Sequence, residues 1–364
     1  MTKRQSQTKK HNALNESRLF WADAMRALSI LMVVIIHSSA KVLYEWSAVE
    51  TGELSTVSWN FANLLNSFSR ISVPLFVMLS GAFLLQKSES LTFFLQKRIP
   101  RIVLPWVFWG SIQLLYNYNF SIETILSSTV YEKLATTFFG GFWFMPLILG
   151  LYLVTPIIKA FTKTAKTTDY AYFFILWFVT VSLIPTLNQS FGINISLQLP
   201  IFVQYLGYFV AGYYLVHKAR FSKKSINQFG LLCIVINVVI ALGTYCITKF
   251  ESQFHASLYE YTNVLVAVSS ISGFIALRSF FQNKAVRVKK TIQNKIVKIS
   301  QVSLGIFLSH ALILDIFTKG KLGFTLHALN GPIIIALPMT ITLVFLTSLS
   351  VVLILRKYMN RFIS

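Results

Sequence analysis

Six ionisable side chains fall inside stretches of the chain that are otherwise apolar. They are Asp23, Arg26, His37, Arg70, His310 and Asp315. A charged side chain inside an apolar span is costly to maintain, so each of these positions is a candidate functional residue. Histidine exchanges a proton near neutral pH, and arginine binds phosphate and carboxylate groups through paired hydrogen bonds. The residue types therefore indicate proton transfer close to a site for an anionic substrate.

Two of these residues share one face of the first predicted helix. Arg26 and His37 are eleven residues apart, which leaves them about 20° apart around the helix and about 16 Å apart along its axis. Asp23 precedes Arg26 by three residues and is its neighbour on that face. We expect all three to belong to the catalytic site. The structural alternative is an interfacial Asp23–Arg26 ion pair and a histidine that only hydrogen-bonds a neighbouring helix.

A basic cluster precedes the third predicted span and contains Lys97, Arg98 and Arg101. Arg98 and Arg101 are three residues apart, so their guanidinium groups can face the same way and hold a phosphate group. Basic residues also gather at the inner ends of membrane helices without binding a ligand. The spacing of the two arginines fits an anion clamp as well as it fits ordinary interfacial charge, and for Lys97 alone interfacial charge is a sufficient explanation.

Arg70 is a supporting candidate in the second predicted span. Its guanidinium is suited either to stabilise a developing oxyanion or to pair with a buried acid. The chain has no GxSxG sequence, and its six histidines show no ligand spacing, so neither a serine nucleophile nor a metal site is expected.

The composition is that of a membrane protein. Hydrophobic residues make up 55% of the 364 residues and charged residues only 12%, about half the charged share of ordinary soluble domains. We therefore predict an all-α, polytopic membrane protein with about ten transmembrane helices. The predicted spans are 19–40, 60–86, 102–118, 141–161, 170–187, 199–217, 228–248, 259–281, 299–318 and 333–356.

The distribution of lysine and arginine orients these spans. With the N-terminus in the cytoplasm, 26 basic residues fall in cytoplasmic segments and 5 in outer segments, as the positive-inside rule requires. Both termini are thus expected in the cytoplasm, with a basic segment at 1–18, a membrane domain at 19–356 and a tail at 357–364. The net charge of +21 does not indicate nucleic-acid binding, because no exposed aromatic residues alternate with the basic ones.

The motifs resemble the acyltransferase-3 family of bacterial membrane O-acyltransferases. Arg26-x10-His37, with Asp23 before it, is similar to the family's first signature, and Arg98-x-x-Arg101 is similar to its second. Other segments that resemble the family are 71–81, 143–147 with Trp143, 151–156, and 299–310 with Ser303 and His310. Leu304 stands where the family often has tyrosine. The chain resembles the stand-alone type, such as the O-acetyltransferase of enterobacterial common antigen, without an appended hydrolase-like domain.

The resemblance implies a reaction and its partners. An acyl group, usually acetyl, would move from cytoplasmic acyl-CoA to a hydroxyl of a glycan or lipid-linked sugar at the outer face of a bacterial plasma membrane. His37 would act as a general base or carry the acyl group itself. Lys97, Arg98 and Arg101 would bind the acyl-CoA donor, while Arg70, His310, Trp143 and Ser303 would support the site. No permanently bound cofactor is expected.

Two other functions remain open at the level of sequence. Some relatives suggest an exporter or flippase of a polysaccharide or lipid-linked sugar, which would need a continuous polar path. A structural partner of a synthase would not depend on His37. Besides acyl-CoA, the sugar acceptor and membrane lipids, a second copy of the chain in a homo-oligomer is a further candidate partner.

Overall fold

The computed structural model describes residues 3–87, 89–191, 195, 198–285 and 287–363. Helix accounts for 81% of the structure, and the described residues contain no β-strand. The all-α prediction is therefore confirmed.

Seventeen α-helices follow one another along the described chain. They are α1 Lys3–Tyr44, α2 Trp46–Glu50, α3 Thr56–Ser69, α4 Ser72–Leu84, α5 Leu91–Asn117, α6 Ile122–Ile125, α7 Val130–Ala135, α8 Phe144–Thr164, α9 Thr167–Trp177, α10 Ile184–Phe191, α11 Ile201–Gln204, α12 Leu206–His217, α13 Lys223–Glu251, α14 Val264–Lys284, α15 Lys290–Gln301, α16 Ser303–Thr318 and α17 Ile333–Ile363. Short π-helical segments occur at Thr136–Gly141 and Phe178–Leu183, and a 3-10 helix occurs at Ser257–Tyr259.

Many of these helices are long and apolar enough to cross a membrane. In the described part of the chain seven helical segments qualify, and the bent pair α15 and α16 makes an eighth if it is one span. A polytopic membrane protein is thus confirmed. The predicted spans 102–118 and 199–217 are helical but fall outside this set, because α5 begins with a basic stretch and α12 has only 12 residues. The count of ten and the sidedness of the termini stay predictions.

Serine and asparagine caps set several helix starts. Ser90 accepts a hydrogen bond from the Phe93 N–H and so begins α5 at Leu91, well before the predicted start at 102. Ser55 and Asn263 cap α3 and α14 in the same way. Such caps satisfy backbone donors that a helix leaves unpaired. The helix α5 then continues through Pro100 and Pro105, so the basic cluster lies within it and not before it.

The first helix is central to the bundle. It packs against α3, α4, α14, α15, α16 and α17. Met25, Ile30 and Val34 on α1 are fully buried. Any side chain that α1 directs inwards is therefore surrounded by other helices.

Two glycines let α4 and α12 pack backbone against backbone. A β-carbon at Gly212 would lie 1.8 Å from the carbonyl oxygen of Met78, and one at Gly81 would lie 1.7 Å from that of Phe209. Small residues permit this close approach in membrane bundles. His217 reinforces the pair, because its Nε2 lies 2.8 Å from the carbonyl oxygen of Ala82.

We predict that Gly212→Ala destabilises the protein. The added methyl group would force α4 and α12 apart, and overpacking of this kind costs about 1–3 kcal/mol. The midpoint of thermal unfolding in detergent should fall. Gly230→Ala in α13 is the matched control, because its β-carbon would meet only Ala276 at 3.6 Å and alanine favours a helix by about 1 kcal/mol. An unchanged midpoint for Gly212→Ala would contradict the close packing.

Candidate active site

Asp23 holds Arg26 near one end of the site. The Arg26 Nη1 lies 3.2 Å from the Asp23 Oδ1, and the Ser300 hydroxyl donates to the same oxygen at 2.6 Å. Ser303 donates to the carbonyl oxygen of Ser300 at 2.9 Å, at the point where α15 and α16 meet at 69°. The Arg26 guanidinium lies over the ring of Phe83 at 5.2 Å. The Asp23 carboxylate thus links α1 to the bend between α15 and α16 and also orients Arg26.

Arg98 has an acidic partner outside the predicted motifs. Its Nη1 lies 2.5 Å from Oε2 of Glu89, and only 7% of its side chain is exposed. The guanidinium stacks over Phe94 at 4.3 Å, while Lys97 lies 4.0 Å from the same carboxylate. The guanidinium of Arg98 holds the pKa of Glu89 below its ordinary value. Arg101, by contrast, is exposed.

Three arginines converge on one tyrosine. The charges of Arg26, Arg98 and Arg101 all act on the phenol of Tyr152 in α8. We call these three residues the arginine cluster. Residues from α1 and α5 therefore create a positive region around α8, which is suited to bind an anion.

His37 and His310 form a pair deeper in the bundle. Their ring centroids are 4.9 Å apart in an edge-to-face arrangement. His310 is 3% exposed, whereas His37 is exposed although its neighbours Ile36 and Ser38 are buried. The ring of His37 is therefore open to a small substrate group.

Backbone contacts determine the orientation of the His310 ring. Its Nδ1 lies 2.6 Å from the carbonyl oxygen of Phe307 and 3.2 Å from that of Ile306. A carbonyl oxygen only accepts hydrogen bonds, so the Nδ1 carries the proton and, in the neutral ring, the Nε2 is an acceptor. This buried Nε2 has no hydrogen-bond partner among the described residues.

Arg70 lies beside the histidine pair, at the junction of α3 and α4. Its Nε donates to the Asn66 Oδ1 at 2.8 Å, its guanidinium lies over the Tyr259 ring at 4.2 Å, and its charge acts on His37. The Asn66 amide donates to the Ser39 Oγ at 2.8 Å and to the carbonyl oxygen of Ile36 at 3.1 Å. Asn66 therefore couples the position of Arg70 to the turn of α1 that carries His37.

Trp143 lies among aromatic rings that extend to the histidine pair. It stacks on Tyr261 with the centroids 5.8 Å apart and lies 6.1 Å from Phe144. Phe144 in turn contacts Phe307 at 5.0 Å, and Phe307 lies 5.8 Å from the His310 ring. The structure thus brings Trp143, His310, His37 and Arg70 into one region, separated along α1 from the arginine cluster.

A comparison with protein families identifies the chain. The acyltransferase-3 family, described as an acyltransferase domain, matches residues 19–357, which include every predicted site residue. The chain belongs to the acyltransferase-3 family. Among curated proteins and among solved structures no protein matches. The resemblance of the sequence motifs is confirmed at the level of the family, and the chain is a membrane acyltransferase.

The site of this acyltransferase includes residues that the motifs did not predict. Asn66 was predictable in principle, because it lies four residues before Arg70 and therefore on the same helix face. Glu89 lies between two helices, and Tyr261 is far from Arg70 in sequence although its phenol lies within electrostatic range of the guanidinium. No local pattern predicts such contacts. In the described residues no group of three or more His, Cys, Asp or Glu side chains is placed to hold a metal ion.

We predict that Asn66→Leu destabilises the acyltransferase and disturbs its site. The substitution removes the acceptor for the Arg70 Nε and the donor for the carbonyl oxygen of Ile36, and a buried group that loses its partner costs about 1–3 kcal/mol. The thermal midpoint in detergent should fall. Asn60→Leu on the same helix is the control, because its amide donates to the Thr56 carbonyl oxygen and accepts only one long hydrogen bond, at 3.5 Å, from the Asn63 amide. Equal midpoints for the two variants would contradict this role of Asn66.

Proposed function

We propose that this acyltransferase transfers an acyl group, acetyl in the first instance, from acyl-CoA to a hydroxyl of a cell-surface glycan or lipid-linked sugar. The observation that carries the proposal is the arrangement along α1. One continuous helix bears Arg26 within the arginine cluster and His37 within the histidine pair. An anion-binding region and a proton acceptor are thus joined by a rigid element.

The arginine cluster is the proposed donor site. Acyl-CoA carries several phosphate groups, and guanidinium groups bind them through charge-assisted hydrogen bonds. Arg98 and Arg101, with Lys97 beside them, would hold these phosphates, while Arg26, oriented by Asp23, would guide the donor into the bundle. The strong basic bias of the segments at this end supports a cytoplasmic location, where acyl-CoA is present. The protein would then be a multi-pass protein of the bacterial plasma membrane.

His37 is the proposed general base. As the sugar oxygen attacks the thioester carbonyl carbon, the hydroxyl proton passes to an unprotonated nitrogen of the imidazole. The carbon–sulfur bond then breaks, and the CoA thiolate takes up the proton from His37. One thioester and one alcohol thus give one ester and one thiol. Arg70, whose charge reaches His37, would stabilise the oxyanion that develops between the two steps.

His310 is the proposed positioning residue for His37. When one nitrogen of the His37 ring accepts the substrate proton, the other carries a hydrogen that needs an acceptor. The His310 Nε2 is buried, lacks a partner in the described structure and belongs to the ring in edge contact with His37. Its tautomer is set by the bonds to the carbonyls of Phe307 and Ile306. A base that is oriented by a third group is the general arrangement of activated catalytic histidines.

The aromatic rings around Trp143 are the proposed acceptor surface. Trp143 and Tyr261 are half-buried and stack 5.8 Å apart, and the buried ring of Tyr205 supports them within 6.3 Å, centroid to centroid. Flat aromatic faces bury the apolar side of a sugar ring, and tyrosine hydroxyls supply a polar edge. Their link to His310 through Phe144 and Phe307 supports delivery of a sugar hydroxyl to His37.

We predict that His37→Ala abolishes most of the transfer. Loss of a general base lowers the rate by about 10²–10⁴-fold. The measurement is the transfer of radiolabelled acetyl from acetyl-CoA to candidate glycolipid acceptors by the purified protein. The control is His255→Ala, since His255 lies in a loop and contacts Ser257 and Glu251. A wild-type rate in His37→Ala contradicts the proposal, as does a wild type that never acylates an acceptor; a label covalently retained on His37 would favour the acyl-carrier mechanism.

A second prediction separates positioning from packing at His310. His310→Asn keeps a donor near the Nδ1 position but loses the Nε2 acceptor, whereas His310→Gln places an amide near the Nε2 position. We expect His310→Asn to lower kcat by at least about tenfold, equivalent to about 1.4 kcal/mol, with little change in the KM for acetyl-CoA. His310→Gln should recover part of kcat. Equal kcat values for the two variants would show that His310 only fills space.

A further inference from the structure

A pocket of about 260 Å³ lies between the start of α5 and the end of α8, next to Arg98. Its lining residues are Glu89, Leu91, Phe94, Thr155, Pro156, Lys159, Ala160 and Lys163. Phe94 lies between the pocket and the arginine cluster. The Arg98 guanidinium stacks over its ring at 4.3 Å, and the ring of Tyr152 is 6.4 Å away, centroid to centroid. The pocket therefore extends the proposed donor site towards α8.

In this structure the carboxylate of Glu89 forms an ion pair with the guanidinium of Arg98. A guanidinium with 7% exposure has lost most of its water, so it requires an anionic partner. The carboxylate of Glu89 provides that partner at 2.5 Å, from a short segment between α4 and α5. Arginine binds carboxylate and phosphate oxygens with the same fork of donors. The position of the Glu89 carboxylate thus marks a place where a phosphate group can bind.

Two lysines on α8 add positive charge to the same pocket. Lys159 and Lys163 are four residues apart, so they lie on one helix face, and both line the pocket. Neither has an acidic partner within ion-pair distance in the described part of the chain. Leu91 and Phe94 of α5 form an apolar wall, and Pro156 of α8 adds apolar surface beside the lysines. The pocket thus combines a cationic side with an aromatic and aliphatic side.

We propose that this pocket binds the phosphorylated adenosine end of the acyl-CoA donor, and that Glu89 is an internal anion which the donor phosphate displaces from Arg98. Lys159 and Lys163 then pair with the phosphate groups, and the adenine packs against the apolar wall. The proposal rests on acyl-CoA as the donor of the proposed function. It adds a subsite on α8 and a competing carboxylate, neither of which the arginine motif contains.

The competition has a direct consequence for affinity. A site whose binding-competent state is only partly populated shows an affinity reduced by that fraction. As long as Glu89 holds Arg98, the donor must break that ion pair in order to bind. Removal of the carboxylate should therefore tighten donor binding, which is the opposite of what loss of a ligand-binding residue does.

The test is the Kd of the full-length protein, in nanodiscs of zwitterionic lipid, for CoA and for adenosine 3′,5′-bisphosphate. We expect Glu89→Gln to lower both Kd values at least about threefold and Glu89→Asp, which keeps a shorter carboxylate, to give an intermediate value. Glu123→Gln, a surface acid elsewhere in the chain, should bind as the wild type does. Unchanged or weaker binding by a folded Glu89→Gln, judged by its thermal midpoint, overturns the competition.

The lysines are tested in the same assay. Lys159→Ala combined with Lys163→Ala should raise both Kd values about tenfold and flatten their dependence on salt. Lys166→Ala is the control, because it removes a nearby exposed charge that does not line the pocket. An effect of the double variant no larger than that of the control overturns the subsite. A wild type that binds neither probe overturns it as well.

The two proposals fail in distinguishable ways. If the Kd values shift as expected but no acyl group reaches a sugar acceptor, the donor subsite stands and the proposed reaction is wrong. If the wild type transfers acetyl and the variants at positions 89, 159 and 163 bind as the wild type does, the reaction stands and the subsite is wrong.

Discussion

The cost of placing charge inside an apolar bundle governs the arrangement of this acyltransferase. Three buried or half-buried arginines near the site each have a specific partner. Arg26 pairs with Asp23, Arg98 with Glu89, and Arg70 with the Asn66 amide oxygen and the face of Tyr259. Because an unpaired charge is so unfavourable there, these partners determine where the cations lie and how the surrounding helices meet.

The helix α1 combines these requirements in one element. Its buried apolar residues pack against six other helices, while its polar stripe joins the arginine cluster to the histidine pair. His37 lies on this stripe with an exposed ring, although its neighbours Ile36 and Ser38 are buried. In the proposed reaction, that ring is where the acyl donor and the sugar hydroxyl would meet.

Uncharged hydrogen-bond partners also position the side chains of the site. The tautomer of His310 depends on two backbone carbonyls of its own helix, and the position of Arg70 depends on an asparagine that also bonds α1. Hydrogen bonds of this kind place a side chain without adding charge. The close contact of α4 with α12 through Gly81 and Gly212 holds in place the helix that begins just after Arg70.

The sequence by itself determined the class of the protein and which polar residues share one face of the first helix. Apolar runs predict membrane helices, and the interval between Arg26 and His37 places them on one stripe, because both properties depend only on local periodicity. The order of the motifs likewise indicated the acyltransferase-3 family. The distribution of lysine and arginine predicted the orientation of the helices in the membrane, because that rule uses only the composition of the loops.

Only the tertiary structure decided which partner each of these residues meets. No local sequence pattern predicts which distant segments come together. Examples are the approach of Glu89 to Arg98, of His310 to His37 and of Tyr261 to Arg70. The predicted span that corresponds to α5 begins at residue 102, but the helix begins at Leu91. Ser90 caps that earlier start, and the helix continues through Pro100 and Pro105. Such choices depend on how helices pack around charges in three dimensions, and that packing is a property of the whole bundle.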